Sequence, residues 1–314
     1  AKVGSFMEGK AIMLGVAELA AEHELLRAEV RALNNYVSTV GPDIEAPLPT
    51  DKRMDALILR SGDAAWLVRL SYFRGIQSIF EGRLEEAARF VDYGRDLELS
   101  EFWSSILELA QLNLAIARDG VDEGQMERYI EITDHHLEYD DAQWLENGYI
   151  ARFSGLHLAG MHRQIIDECL AIDPEQPGYE TIVRTGFYSA AYVGDAESAA
   201  TLRSRLKHPP AYWRAQVGNE AMADMVVAGT SGDVAGATAA FRRADALWST
   251  VATGIDRTML RATYAHLVGL DSPGAREAAE SARDFFANAG MVTPADQFTD
   301  LFAQLDDLDE SVAV

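Results

Sequence analysis

A glycine recurs along this 314-residue chain at Gly82, Gly120, Gly160, Gly194 and Gly232, with spacings of 38, 40, 34 and 38 residues. No other feature of the sequence restricts the fold as strongly, because a fixed period of about 20 to 50 residues belongs to stacked repeats. A further 39 residues on, Asp271 marks the turn "DSPGAREAA". An alanine follows Gly82, Gly194 and Gly232 by five residues, as Ala87, Ala199 and Ala237. Gln125 and Ile165 hold that slot after Gly120 and Gly160. Tryptophan keeps the same beat: Trp66, Trp103, Trp144 and Trp213 precede their glycines by 16, 17, 16 and 19 residues. Two unrelated residue types therefore share one period.

The segments between these marks read as helices. "AESAATLRSRL", "MERYIEITDHHL" and "AREAAESARDFFANAG" carry apolar residues three and four apart, the helical period. They are rich in Ala, Leu, Glu and Arg, which lose little entropy in a helix. Short pieces such as "VGPD", "RDGVD", "DPEQPG", "VGD" and "SGD" break them, as loops between antiparallel helices do. About fifteen or sixteen helices are expected on this pattern, with almost no strand signal. In each unit a first helix opens near an aromatic anchor, a glycine turn reverses the chain, and the small alanine lets the second helix pack closely. One such pair cannot bury both of its faces, so neighbours must stack. The expectation is an all-α chain, a right-handed α-solenoid of six to seven helix pairs. The approximate repeats span 5–40, 51–98, 100–137, 141–173, 179–208, 210–250 and 254–290, with a capping helix at 294–308.

Ala237, Phe241 and Ala244 in "TSGDVAGATAAFRRADALW" reproduce an Ala, Phe four later, Ala three later. This resembles the second helix of the tetratricopeptide repeat. In "GRLEEAARFVDYG", Ala87 fits that pattern, with Val91 and Gly94 in place of Phe and Ala, and Gly75 falls on the family's first-helix glycine. More narrowly, "EHELLRAEVRALNNYVSTVGPD", "ILRSGDAAWLVRL" and "AREAAESARDFFANAGMVTPADQF" are similar to the degenerate helical-repeat regions of LuxR/MalT-type regulators and ATPase-linked bacterial adenylate/guanylate cyclases. The resemblance implies a sensing or protein-interaction role. It also implies a concave face built by the first helices, carried here by Arg69, Tyr72, Asn147, Ser154, His157, Arg184, Tyr188 and Asn219. Exposed Arg, Tyr and Asn in such a groove are good recognition groups. The residues expected to hold the stack together are Trp66, Gly82, Ala87, Trp103, Trp144, Gly194, Ala199, Trp213, Gly232, Ala237, Phe241 and Ala244.

The charge limits the partners. Lys and Arg number 27 against 50 Asp and Glu, a net charge of −23. Such a surface repels phosphate backbones and anionic membranes, so nucleic acid and membrane are not expected partners, and a protein or peptide of basic character fits better. A small ligand on the concave face is a further expectation. No apolar run reaches the ~18 residues of a membrane span, and no cleavage pattern of a secretory signal is visible. The single Cys169 cannot form an internal disulfide, which fits a reducing cytoplasmic setting. The chain opens inside what reads as a helix, and a fragment of a longer protein is expected.

Each candidate for chemistry has a plainer reading. "GSFMEGKA", Gly4 to Ala11, is one residue short of a phosphate loop, since Ala11 removes the metal-binding hydroxyl and no strand delivers it. In "DHHLEYDD", His135 and His136 point about 100° apart on a helix and cannot face one ion. His157 and His162 are five apart, where a zinc pair needs four. Cys169 sits on an apolar helix face without a base, as a structural cysteine does. No serine stands in a G-x-S-x-G elbow. The sequence therefore predicts no cofactor, no metal and no enzyme. It predicts a recognition region of a multidomain bacterial signalling or transcription-regulatory protein. The alternatives are a standalone adaptor for a basic peptide and an enzyme on an α/α scaffold using carboxylates, the latter marked by closure into a toroid with acids at its centre.

Overall fold

The computed structural model describes residues 3–40, 48–95, 97–138, 142–208, 214–251, 254–292 and 298–312. They are mainly helical, with no strand among them. The order is α1 (Val3–Glu22), α2 (Leu26–Val40), α3 (Leu48–Ser61), α4 (Ala64–Phe80), α5 (Leu84–Tyr93), α6 (Glu101–Asp119), α7 (Glu123–Leu137), α8 (Ala142–Leu158) and α9 (His162–Ala171). Then come α10 (Tyr179–Ile182), α11 (Arg184–Val193), α12 (Ala196–Arg205), α13 (Arg214–Thr230), α14 (Val234–Trp248), α15 (Gly254–Val268), α16 (Ala275–Ala289) and α17 (Thr299–Val312). Val183 alone separates α10 from α11. The stretch Gly4–Ala11 lies inside α1, a helix and not a phosphate-cradling loop.

The periodic glycines have one physical cause. Gly82, Gly120, Gly160, Gly194 and Gly232 all have positive φ, between 66° and 89°, where a Cβ is strained. Four of them close their helix identically. The N–H after the glycine donates to the carbonyl five residues back: Arg83 to Ser78 at 2.8 Å, Met161 to Leu156 at 2.9 Å, Asp195 to Ala190 at 2.9 Å and Asp233 to Ala228 at 2.9 Å. This is the Schellman closure, which satisfies carbonyls the helix end leaves open. The aspartates of the "GD" and "GVD" turns then start the next helix. Asp122, Asp195 and Asp233 accept from the N–H three residues on, at 3.2, 3.0 and 2.9 Å, a side-chain N-cap. Asp271 has its period partner in the nearby left-handed glycines Gly269 and Gly274.

The helices pack through small residues. Ala87, Ala199, Ala237 and Ala244 are fully buried. Phe241 stacks on Tyr264 of α15, rings parallel and 4.0 Å apart. First-helix glycines receive side chains from neighbouring helices: Gly75 meets Val91, Gly155 the Tyr129 ring, Gly186 the Cys169 sulfur and Gly218 the Trp248 indole. Trp66 opens α4 with its N–H on Asp63, and Trp103 lies edge-on to Phe102 in α6. Trp144 lies in α8. Trp213 lies outside the described residues.

The buried side chains form successive clusters, one around α1 to α4, one around α4 to α6, one around α6 and α7, and a large one from α8 to α17. Serial clusters are what stacking along a chain produces. The line is not open, however. Met291, just beyond α16, packs on both the α4–α6 cluster and the large one. The Val292 N–H donates to the Ala117 carbonyl at 2.9 Å, and Gly82 lies against Ala289 and Phe285 of α16. The end of α16 thus returns to the α4–α6 region, so the chain curls on itself.

Candidate functional site

This curl brings α4, α6, α8, α11 and α15 around one half-open pocket of about 90 Å³. Its walls carry Ser154, His157, Arg184 and Tyr188, joined by Asn113, Asp256 and Met259, and Met291 and Val292 complete the lining. Four of the residues expected on a concave face therefore meet. Arg69, Tyr72, Asn147 and Asn219 do not line this cavity.

An exposed groove was expected, and the structure differs. Tyr188, His157 and Asn219 are only 4%, 6% and 7% exposed. Tyr188 and His157 line the pocket whose wall the returning segment completes. Asn219 follows Gly218 in α13, the glycine on which the Trp248 indole packs. The Arg69 guanidinium lies 5.7 Å from the Trp66 ring and 5.1 Å from Phe73, a cation–π setting, and burial lowers its pKa. Tyr72 packs between two clusters, where burial pushes its hydroxyl up to about 12. Asn147 is half-buried in α8.

The cavity's polar groups divide into spent and unspent. Asn113 donates to the Leu109 carbonyl at 2.8 Å and accepts from the Tyr129 hydroxyl at 3.3 Å. Ser154 donates to the Ile150 carbonyl at 2.7 Å. Arg184 of α11 and Asp256 of α15 form an ion pair at 3.0 Å. The His157 ring is pushed down to about 3 by burial, with His162 adding to the shift, so it is neutral at physiological pH. The Tyr188 hydroxyl, one turn beyond Arg184, is buried with no hydrogen-bond partner among the described residues. Burial raises its pKa far above the ordinary tyrosine range.

Beside the cavity lies a buried aromatic cluster. Tyr192 stacks on His162 at 5.2 Å and meets His266 at 5.1 Å, His157 at 6.0 Å and Phe298 at 5.3 Å. His162 and Ser189 are hydrogen-bonded at 3.2 Å. Elsewhere, Ser105 and His136 are 2.9 Å apart. Ser105 donates its proton to the Phe102 carbonyl, so the ring N–H is the donor to the serine oxygen. A ring spent as donor is no base for that serine. No group of three His, Cys, Asp or Glu with metal-binding geometry occurs among the described residues, and none of their helices is long and apolar enough to cross a membrane. Cys169 is buried, its thiol pushed far up by burial.

Sequence reasoning missed Asp256, Met259, Met291 and Val292. Asp256 and Met259 stand on a first helix, α15, so register could have found them. Met291 and Val292 reach the site by a contact from a distant helix end, and no local pattern announces it. In comparison with known proteins, no family model matches the chain, and no curated protein matches it.

Proposed function

We propose that this chain is a tetratricopeptide-like, right-handed helical array that acts as a recognition and signal-sensing region, and that it reports to protein partners within a multidomain bacterial signalling or transcription-regulatory protein. One observation carries the reading. First helices α4, α6, α8, α11 and α15 line one pocket whose wall is completed by the segment just beyond α16, through Met291, Val292 and the Val292–Ala117 hydrogen bond. An occupant of that cavity touches helices from both ends of the curl at once. Its binding energy can therefore be spent on curvature, which attached modules sense. The central acid is a single Asp256 already paired with Arg184, which favours recognition over carboxylate chemistry at this place.

The test is one of coupling. Replacing Met291 and Val292 together by glutamate should release the closure. Amide exchange should then rise in α4, α6 and α15 alike, because all three line the cavity. A rise confined to the end of α16 would sink the sensing role. So would a saturable turnover of any substrate that disappears in Asp256→Asn.

A further inference from the structure

We infer that the face of α4 carrying Trp66, Arg69 and Phe73 is a docking surface for a protein segment that presents one carboxylate between apolar side chains, with the Arg69 guanidinium as the group that takes the carboxylate. This rests on the recognition reading for its purpose and adds the chemistry of the partner. It uses side chains that do not line the pocket of Ser154 and Arg184.

Placement comes first. Trp66, Arg69 and Phe73 stand three and four residues apart in α4, which sets them along one side of the helix. The guanidinium carbon lies 5.7 Å from the centre of the Trp66 ring and 5.1 Å from that of Phe73, both within cation–π reach. Arg69 is half-buried, while Phe73 is 39% exposed. A large apolar ring is thus left in water beside the cation.

That cation lacks a counter-charge. Arg74, Arg152, Arg184 and Arg203, also half-buried or buried, each hold a carboxylate within 3.0 Å. Arg69 holds none among the described residues, in a chain with 50 acidic side chains. Asp63, six residues earlier, is taken by Arg27 at 3.1 Å and by the Trp66 N–H. Burial lowers the Arg69 pKa, and no neighbouring acid raises it. A partly desolvated ion without its partner is costly, and the two rings offset only part of that.

The guanidinium shows what it can accept. Its Nε is shut off from solvent without a partner. Its two Nη groups have no partner among the described residues either, and they are not shut off. They present the fork that a carboxylate matches with two parallel hydrogen bonds. One unspent positive charge balances one carboxylate, whereas a phosphate dianion would carry excess charge into the field of a chain at −23. The trio spans about 10 Å of helix, the length of about three extended residues, which is a segment and not a free ion. Trp66 and Phe73 lie toward opposite ends of α4 from Arg69 and suit apolar side chains on either side of the acid. Trp and Arg are also the residues that dominate protein interfaces. The overall field favours a partner of basic character, and a single acid set in such a segment meets both demands.

The experiment uses the full chain with ¹⁵N-labelled arginine and tryptophan, so that the Arg69 Nε–H and the Trp66 indole N–H report directly. The probe is the capped tripeptide leucine–aspartate–leucine, compared with its asparagine counterpart, with acetate and with inorganic phosphate. The aspartate peptide should shift both signals saturably in the millimolar range, as a fragment of this size does. The asparagine peptide should bind about tenfold more weakly, and so should acetate, which lacks the apolar flanks. Arg69→Met should abolish the preference for aspartate over asparagine without lowering Tm, because it removes a charge that has no partner in the fold. Arg69→Lys should keep the charge and lose most of the preference, since an ammonium offers no fork. The proposal is overturned if asparagine peptide or acetate binds as well as the aspartate peptide, if phosphate binds more tightly than it, if no probe shifts the two signals, or if Arg69→Met keeps the preference or lowers Tm. Binding at Arg69 with no coupling from Met291 and Val292 to α4 would uphold the surface and remove the sensing role. Loss of binding with intact coupling would do the reverse.

Discussion

The backbone N–H of Val292 donates to the carbonyl of Ala117 over 2.9 Å. Ala117 belongs to the last turn of α6, where carbonyls lack a helical partner. The end of α6 is thus finished by a residue beyond α16, and the packing of Ala289 and Phe285 against Gly82 extends the same junction.

This junction sets apart one glycine of the periodic series. Gly82, Gly160 and Gly232 share positive φ, so alanine at any of them costs about 1 kcal/mol in backbone strain. An added Cβ is crowded at Gly82, by Ala289 at 2.8 Å; at Gly120 it makes an ordinary contact with Val292 at 3.6 Å, and nothing lies within 4 Å at Gly160 or Gly232. Gly82→Ala should therefore cost about 1–3 kcal/mol more than Gly160→Ala or Gly232→Ala. Urea unfolding of the three variants checks this. Equal losses would mean that the α16 end does not press on the turn.

Gly218 gives a sharper local test. A Cβ there would overlap the Trp248 indole nitrogen, which donates to the Ala215 carbonyl at 3.3 Å. Trp248 is fully buried and has no slack to yield. Gly218→Ala should lower stability by about 2–3 kcal/mol and shift the tryptophan fluorescence. An unchanged Tm with unchanged fluorescence would refute the contact.

The pH dependence has a definite sign. Burial pushes His136 and His162 down to about 4 and His157 to about 3, and lowers His266 as well. The unfolded chain binds these protons near the ordinary pKa of about 6.5, whereas the folded chain binds those of His136 and His162 only near 4, that of His157 only near 3, and that of His266 at a lowered pH. The unfolded state holds more protons between these values, so stability is full above about pH 6.5 and is lost as the pH falls. Each histidine adds up to about 1.4 kcal/mol per pH unit in that window. Tm should stay level from pH 8 to 7 and fall steeply from 6.5 to 5. A His157→Phe variant should fall less steeply, and a Tm that rises on acidification would contradict the burial of these rings.

Much of the frame was legible because its causes are local. Gly194 and Gly232 appear at their period because each closes a helix through φ near 66° and 82°, and the aspartates after them cap the next one. Ala87, Ala199 and Ala237 mark close approach because only a methyl group fits. The site was half legible. Ser154 and His157 lie one turn apart on α8, and Arg184 and Tyr188 one turn apart on α11, as register predicts. Their burial did not show, since Met291 and Val292 arrive from a distant helix end. Trp248 escaped as an anchor because it closes a second helix and stands outside the first-helix tryptophan beat.

The Arg184–Asp256 pair tests what holds the cavity wall. It joins α11 to α15 at 3.0 Å, with both side chains at least three-quarters buried. Removing one charge strands the other in a poorly solvated place, whereas removing both removes the desolvation cost too. Asp256→Leu should therefore cost about 2 kcal/mol, and Arg184→Met should cost a similar amount. The double variant Arg184→Met with Asp256→Leu should lie within about 1 kcal/mol of the native chain, far less than the two losses added together. A double-mutant cycle in urea measures this directly. Additive losses would show that the two residues are held by separate contacts, and the wall of the cavity would then owe nothing to their pairing.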